Sequence, residues 1–407
     1  MTEKMNIVFI APELLPNWGG AGTYAIELIK YLSEIHNVHV ITLRRQIDNG
    51  PSYDDEKIMN FFDNKIHLHI ISSANDTFIY NAKFQYACLR NIPKICKENN
   101  IDIIHADVPH MSDVLLKLTK SNVNAVTTVH TIIEGHRDGI LASDIDFWDM
   151  DVSERYTLAL YPALKMIQNF YIRKSPNIIT VSNWMKKLLE QNYSVKNVDM
   201  IHNGVDHNQF SPDKKNNLVK ELNCGDKSII LCTGRLTAGK GAHYFINAIP
   251  GIIKEDKDTH FVFTGSGGTK NLWVNMLEKE GIDSKFYSFL GYIDYSELAS
   301  LYAKAEIFVA PSLYENFPIR ILEAMSSQTT VISTNVCGIP ECIAHTENGI
   351  LIPPRDSKAI TENVVNLLQD KDYAKRLAKN ARKTVIEKFS WGKIGRETEC
   401  VYKKIMS

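Results

Sequence analysis

No apolar run in this chain approaches the ~18 residues that a membrane-spanning helix needs, so no span is expected. The first residues, Met1-Thr2-Glu3-Lys4-Met5-Asn6, lead straight into the strand-like Ile7–Ile10, so no signal peptide is expected. Cysteine is sparse. The seven residues at 88, 96, 224, 232, 337, 342 and 400 are odd in number and lack metal-ligand spacing, so they read as reduced thiols of a cytoplasmic protein. Neither sign of charge dominates: 46 Lys and Arg stand against 47 Asp and Glu, and no nucleic-acid partner is expected. Internal repeats and low-complexity tracts are missing. So is a full G-x-G-x-x-G, which keeps Gly19-Gly20-Ala21-Gly22 from being a dinucleotide fingerprint.

What is present is strand–helix alternation. With 407 residues the chain is too long for one core and suits two domains. Strand-like runs fall at Ile7–Ile10, Val38–Leu43, Ile66–Ile71, Ile101–His105, Val126–His130 and Ile178–Val181. A second series runs through Ile229–Cys232, Phe261–Thr264, Tyr287–Leu290, Ile307–Ala310 and Val331–Ser333. Helical patterns such as Thr23–Leu32, Trp184–Gln191, Ala242–Lys254 and Tyr295–Ala303 separate them. The pattern predicts an α/β protein of two doubly wound, Rossmann-like domains with parallel sheets covered on both faces. The polar stretch Asn208–Asn223 is the natural linker, so residues 1–208 and 209–389 are the expected domains. Residues 1–208 hold 20 Lys and Arg against 24 Asp and Glu, a net −4, and the remainder holds 26 against 23, a net +3. The positive second half suits an anionic ligand. The negative first half argues against membrane docking, and Trp184–Leu189 reads as an ordinary amphipathic helix rather than an interfacial one.

The segment Pro311–Met325 carries the chemistry. Glu315 and Glu323 bracket it, after the buried-looking strand Ile307–Ala310. Pro318 suits a helix start, which puts Glu315 in the strand-to-helix loop and Glu323 on the helix. Amides near Phe317, Pro318 and Ile319 would then face outward as an anion site. Upstream, Arg235 and Lys240 flank the loop Thr233–Gly241. An Arg fork and a mobile Lys charge together could neutralise a diphosphate.

Ligands of open parallel sheets bind beyond the carboxyl ends of strands, and most other candidates fall there. Gly19, Gly20 and Gly22 follow the first strand, as a tight turn or a phosphate or substrate loop. His130 ends a strand, as a satisfied polar residue or a functional one. Gly265, Ser266 and Gly267 follow another strand, where bare backbone could approach a nucleotide. His136 and His202 have less support. Asp144, Asp146, Asp149 and Asp151 fit D-x-D spacing. They are read as a solvated acidic loop before a helix rather than a metal site, so no metal ligand is assigned.

Together these pieces resemble the GT4 family of retaining glycosyltransferases with the GT-B fold. The matching elements run in family order: Gly19-Gly20-Ala21-Gly22, His130, Asn203-Gly204-Val205-Asp206, Gly234-Arg235-Leu236 with Lys240-Gly241, Gly265-Ser266-Gly267, Glu315 with Glu323 after seven residues, Gly338-Ile339-Pro340-Glu341, and Gly349. The resemblance covers most of the chain. It implies two Rossmann-like domains facing across a cleft, and a last helix, about 390–407, that crosses back to the first domain. It implies that the second domain holds a nucleoside diphosphate sugar, with a UDP- or GDP-sugar expected, and that the first holds the acceptor. Arg235 and Lys240 would stabilise the leaving diphosphate, Glu323 the ribose, and Glu315 and His130 the transferred sugar. Tyr292 and Ile293 fall at the family's base-binding loop, though by sequence they could equally be core. No cofactor or metal is implied, because the leaving phosphate itself takes the acceptor proton. Two departures put the identity of the sugar in question. Asn316 and Pro318 replace the usual glycines after the first Glu, and Gln328-Thr329-Thr330 replaces Gly-x-Pro. The alternatives are a nucleotide-sugar epimerase on the same fold and a catalytically silent partner subunit.

Overall fold

The structure, a computed structural model, describes residues 4–15, 19–45, 53–74, 79–107, 123–214, 222, 224–225 and 227–407. The chain divides into two compact units. One takes Met1–His130, Met166–Asn203 and Trp391–Ser407, the other Thr131–Lys165 and Gly204–Ser390.

The first unit is built on seven parallel strands: β1 (Asn6–Ile10), β2 (Asn37–Arg45), β3 (Ile66–Ala74), β4 (Ile103–Asp107), β5 (Asn124–Val129), β6 (Ile178–Thr180) and β7 (Val198–Met200). Their order is β3-β2-β1-β4-β5-β6-β7. β4 is buried at all five positions, its polar residues His105 and Asp107 included. Val8, Ile10, Ile41 and Ile104 pack with Phe84, Cys88 and Ile92 of the helix Ile79–Glu98. The helix Trp391–Met406 also belongs to this unit. Its Glu399 accepts from the Tyr31 hydroxyl at 3.0 Å and pairs with His36 Nε2 at 3.1 Å. A Cβ on Gly395 would meet the Tyr31 ring at 2.1 Å, so only glycine lets this helix lie so close to Gly20–Ser33.

The second unit holds six parallel strands: β8 (Ser228–Thr233), β9 (Thr259–Thr264), β10 (Tyr287–Phe289), β11 (Ile307–Ala310), β12 (Thr330–Thr334) and β13 (Ile350–Ile352). Their order is β10-β9-β8-β11-β12-β13. Phe245, Ile249, Phe261, Phe263, Trp273, Ile307 and Val309 form its main core. Each such side chain contributes roughly 1.5–3 kcal/mol by leaving water. Both units are Rossmann-like, and in each the winding reverses beside the first strand. The switch point lies between β1 and β4 in the first unit and between β8 and β11 in the second. Ligands of such sheets bind beyond the carboxyl ends of those strands.

Three differences from the sequence expectation stand out. β7 and β13 are additional strands, each three residues long and at a sheet edge, too short to show a period. Residues 131–165, placed in the first domain by sequence, group with the second unit, where the Glu154 carboxylate takes backbone N–H groups of Ala238 and Gly239. The expected linker at 208–223 begins with a buried anchor. Phe210 packs on Tyr295 and Tyr302, and its carbonyl accepts from the Ser326 hydroxyl at 2.6 Å. The linker positions 215–221 and 223 lie outside the described residues.

Candidate functional site

In the second unit the loops after β8 and β11 meet at the switch point. Gly234 (φ +118°) turns the chain after Thr233, and its N–H donates to Thr264 O at 3.0 Å. Leu236 N–H donates to Ser266 O at 2.9 Å, and the Thr269 hydroxyl donates to Leu236 O at 2.6 Å. A Cβ on Gly265 would meet Gly234 O at 2.0 Å, and one on Gly267 would meet Leu236 O at 2.1 Å. Those two glycines are therefore needed for backbone to lie on backbone. A 3₁₀ turn, Ala238–Lys240, follows and ends at Gly241, which opens the helix Ala242–Glu255.

Lys240 leaves this turn toward the β11 loop, and its Nζ donates to Glu315 Oε2 at 2.6 Å. Arg320, in the first turn of the helix Ile319–Ser326, places Nε 3.9 Å from Glu315 Oε1. Its other nitrogens bond to Thr233 O and Ser312 Oγ, so the guanidinium ties β8 to the β11 loop. Burial alone would raise the Glu315 carboxyl, but Lys240 and Arg320 outweigh it and hold Glu315 below the usual carboxylate range. Burial pulls the Lys240 ammonium down, opposed by Glu315 and aided by Arg320 and Arg235. Arg235 itself is exposed, and its guanidinium forms no ion pair among the described residues. His136, exposed on the helix Ile133–Leu141, lies within electrostatic reach of Lys240, Arg235 and Glu315.

The segment between the two glutamates is mostly buried. Tyr314 lies against the glycine face of the helix Ile133–Leu141, where a Cβ on Gly135 would meet its ring at 2.0 Å. Asn316, Phe317 and Ile319 are buried, and Phe317 stacks edge-on against Phe389. Pro318 is the N-cap of Ile319–Ser326, which has no side-chain cap, so its first-turn amides resemble a ready anion site. Glu323, one turn after Arg320, is 5% exposed and hydrogen-bonds the buried Tyr302 hydroxyl, which also bonds to Thr233 Oγ1 at 2.7 Å. Gly265 N–H donates to Gly291 O at 2.7 Å, which brings the turn bearing Tyr292 and Ile293 to the Gly265–Gly267 loop. Tyr292 is exposed and Ile293 half-buried, so Tyr292 is not a core residue. Gly338 N–H reaches Glu315 O at 3.4 Å.

In the first unit the switch point has a different character. β4 ends at Asp107, which is buried, and β5 ends just before His130. His130 Nε2 lies 2.7 Å from Asp107 Oδ1, and the Tyr24 ring meets the imidazole edge-on at 4.7 Å. Burial raises the Asp107 carboxyl, and His130 opposes it. Gly19 caps the helix Gly20–Ser33 without a side-chain bond. Gly20 is exposed and Gly22 buried.

Asp144, Asp146 and Asp149 line one pocket with His243 and Tyr244. Asp146 and Asp149 are exposed, and Asp144 pairs with Arg355 and accepts from the Tyr244 hydroxyl at 3.3 Å. Asp151 caps the helix Val152–Ala159 and accepts from Gly268 N–H at 2.7 Å. Among the described residues no group of three or more His, Cys, Asp or Glu could hold a metal ion, and no helix is long and apolar enough to cross a membrane.

Arg320, Asp107 and Glu154 escape a reading of the sequence, which also ranks His136 low. Arg320 carried a usable signal, the one cation of the segment Pro311–Met325, five residues after Glu315. Asp107 and Glu154 had none, because their partners His130, Ala238 and Gly239 lie 23 to 85 residues away.

Residues 18–209 match the family described as Glycosyltransferase Family 4, and residues 213–384 match Glycosyl transferases group 1. An uncharacterized glycosyltransferase of Methanocaldococcus jannaschii is 36% identical over 57% of this chain and 61% of its own length, so the chain spans less than two thirds of that relative. The N-acetyl-alpha-D-glucosaminyl L-malate synthase of Bacillus anthracis is 24% identical over 96% of this chain and 95% of that one. In fold the chain is similar to Anabaena Alr3699/HepE, solved in complex with UDP and glucose. The TM-score is 0.73 at 16% identity, covering 98% of this chain and 99% of that one. None of these supports the epimerase alternative. The chain belongs to the GT4-like glycosyltransferases, the group 1 family with the GT-B fold.

Proposed function

We propose that the chain is a retaining hexosyltransferase that moves a sugar from a nucleoside diphosphate to an acceptor. The observation that carries this reading is the Lys240–Glu315 pair, flanked by Arg320 and Arg235 at the switch point between β8 and β11. The C1–O bond of the donor breaks, and its electron pair leaves on the diphosphate. Lys240, Arg235 and the first amides of Ile319–Ser326 stabilise charge that grows as the bond breaks, so they favour the transition state over the ground state. In the bound state the diphosphate competes with Glu315 for Lys240. Glu315 then meets the sugar hydroxyls near the developing oxocarbenium ion, and Glu323 accepts from the ribose. Tyr292 and Ile293 flank the base, and Gly265, Ser266 and Gly267 offer backbone to the nucleoside.

The acceptor oxygen attacks the same face, and its proton passes to the leaving phosphate, so no metal is required. In the first unit, His130 and the loop at Gly19, Gly20 and Gly22 are assigned to the sugar and the acceptor. A UDP- or GDP-sugar is the proposed donor. The complex of the Anabaena protein with UDP and glucose supports that class. The seven unpaired cysteines support a cytoplasmic location.

The test is release of free nucleoside diphosphate from UDP-, GDP- and ADP-sugars, with and without candidate acceptors, and the anomeric configuration of the product by NMR. Acceptor-dependent release with retained configuration is expected. No release from any donor, or inversion, would overturn the reading.

A further inference from the structure

We propose that Glu154 is a positioning residue for Lys240, holding the turn from which that side chain departs; this rests on the reading of Lys240 as a leaving-group cation. Glu154 lies in the first turn of the helix Val152–Ala159 and is 5% exposed. Its Oε2 accepts from Ala238 N–H at 3.0 Å and its Oε1 from Gly239 N–H at 2.9 Å. The Asp151 N–H adds a third bond at 3.3 Å as part of a capping box. A buried carboxylate is costly unless such donors surround it. A capping box needs only the bond within its own helix, which glutamine could make. The two bonds to residues 84 and 85 positions away are not explained by capping.

Those two amides belong to the turn Ala238–Lys240, immediately before Lys240. The opposite side of the same turn is also held. The Gly239 carbonyl accepts from Leu313 N–H at 3.1 Å, and Gly241 N–H donates back to Ala238 O at 3.0 Å. The peptide planes on the N-terminal side of Lys240 are thus fixed by Glu154 and by the β11 loop, and its side chain leaves from a fixed backbone toward Glu315. A displacement of about 1 Å at a reacting group costs on the order of 100-fold in rate. Next to Glu154, Asp151 takes the Gly268 N–H, so one helix end holds the loops after β8 and β9 together. Glu154 touches neither Lys240 Nζ nor Glu315 through its own carboxylate. Its effect passes through backbone, which gives it a distinct signature.

The experiment is a double-mutant cycle of Glu154→Gln and Lys240→Ala, read by nucleoside diphosphate release with the donor that wild type uses. Glutamine keeps the shape but turns an NH₂ against one of the two amides. Turnover is expected to fall about tenfold in the Glu154→Gln single variant, with donor KM within about twofold. In the Lys240→Ala background the same change should cost less than about twofold, because the group it positions is gone. Full additivity, or a Glu154→Gln variant with wild-type turnover, overturns the proposal and leaves the transferase reading intact. Should Glu154→Gln fail to fold, as judged by thermal unfolding, the same cycle with Glu154→Asp decides, since aspartate keeps the charge but cannot span both amides. If wild type releases nothing from any donor, the transferase reading falls first, and the inference falls with it.

Discussion

The two units have the same winding and different chemistry at the same place. Beyond β8 and β11 stand Lys240, Arg235, Arg320 and Glu315, a charged cluster whose carboxylate is kept ionised by its cations. Beyond β1, β4 and β5 stand Asp107, His130 and Tyr24, a buried acid with an imidazole under an aromatic ring. One end presents cations around an ionised carboxylate, the other a buried acid paired with an imidazole. The fold supplies a crevice in both units, but the loop residues decide what each crevice can bind.

The largest expected effect breaks the charged side of this comparison. Lys240→Ala should lower turnover by about 30- to 1000-fold, the 2–4 kcal/mol typical of one lost donor to a developing oxyanion, and Arg235→Ala should follow it. Arg320 still faces the Glu315 carboxylate after the change, so thermal unfolding should show the fold retained. His130→Ala should lower turnover less, leaving nucleotide affinity unchanged. Wild-type kinetics in the Lys240 variant would end its assignment.

Next in size is acid, which should reach both units through buried histidines. His39 stacks on His67, its Nδ1 lies 3.1 Å from His69 Nε2, and burial with these two neighbours pushes it down to about 4. The unfolded chain therefore binds more protons than the folded one below about 6.5. The contribution of His39 is full above that pH and is lost as pH falls toward 4. Glu315 sits below its ordinary 4.5, so its contribution is full above that value and is lost only at lower pH. Thermal unfolding followed from pH 7.5 to pH 4 should weaken through His39 in the first unit and through His243, which burial also pushes down to about 4, in the second, and His39→Phe should flatten part of the slope between pH 6.5 and 4. Superimposable curves for the variant and wild type would count against this.

A smaller effect sharpens the division within the second unit. Glu323→Gln should weaken binding of the bare nucleoside diphosphate by about 1–2 kcal/mol, as charge-assisted bonds become neutral. Glu315→Gln should leave that affinity near wild type and mainly reduce turnover. Calorimetry with the nucleotide alone, paired with turnover on the full donor, checks it; equal losses of affinity would refute the division. The smallest expected effect is none: transfer should survive EDTA. Restoration by Mg²⁺ or Mn²⁺ after a loss would bring Asp144, Asp146, Asp149 and Asp151 back as metal ligands.

Much of this was legible in the residues themselves. Strands such as β8, β9 and β11 are buried on both faces, so they appear as unbroken apolar runs bounded by turns. Arg235, Lys240 and Glu315 stand out because each lies in a loop that follows such a boundary, and Glu323 through its spacing from Glu315. Arg320 was harder to see, since an arginine in a helix's first turn looks like a solvated one until Thr233 O and Ser312 Oγ are placed against it. Glu154 looked like an acid favouring a helix dipole, which it is, and its second role depends on a distant turn. The edge strands β7 and β13 are three residues each, and only pairing defines them.

The amino-acid sequence by itself determined the local elements, the two-domain α/β class and the loops that carry charge. Those depend on burial periodicity and on turn chemistry within a few residues. Tertiary structure decided the strand order, and with it the crevice where the loops after β8 and β11 meet. It also decided the pairing of Asp107 with His130 and the grip of Glu154 on Ala238 and Gly239. Hydrogen bonds between groups 23 to 85 residues apart leave no period in a chain. They exist only once the sheets have brought their ends together.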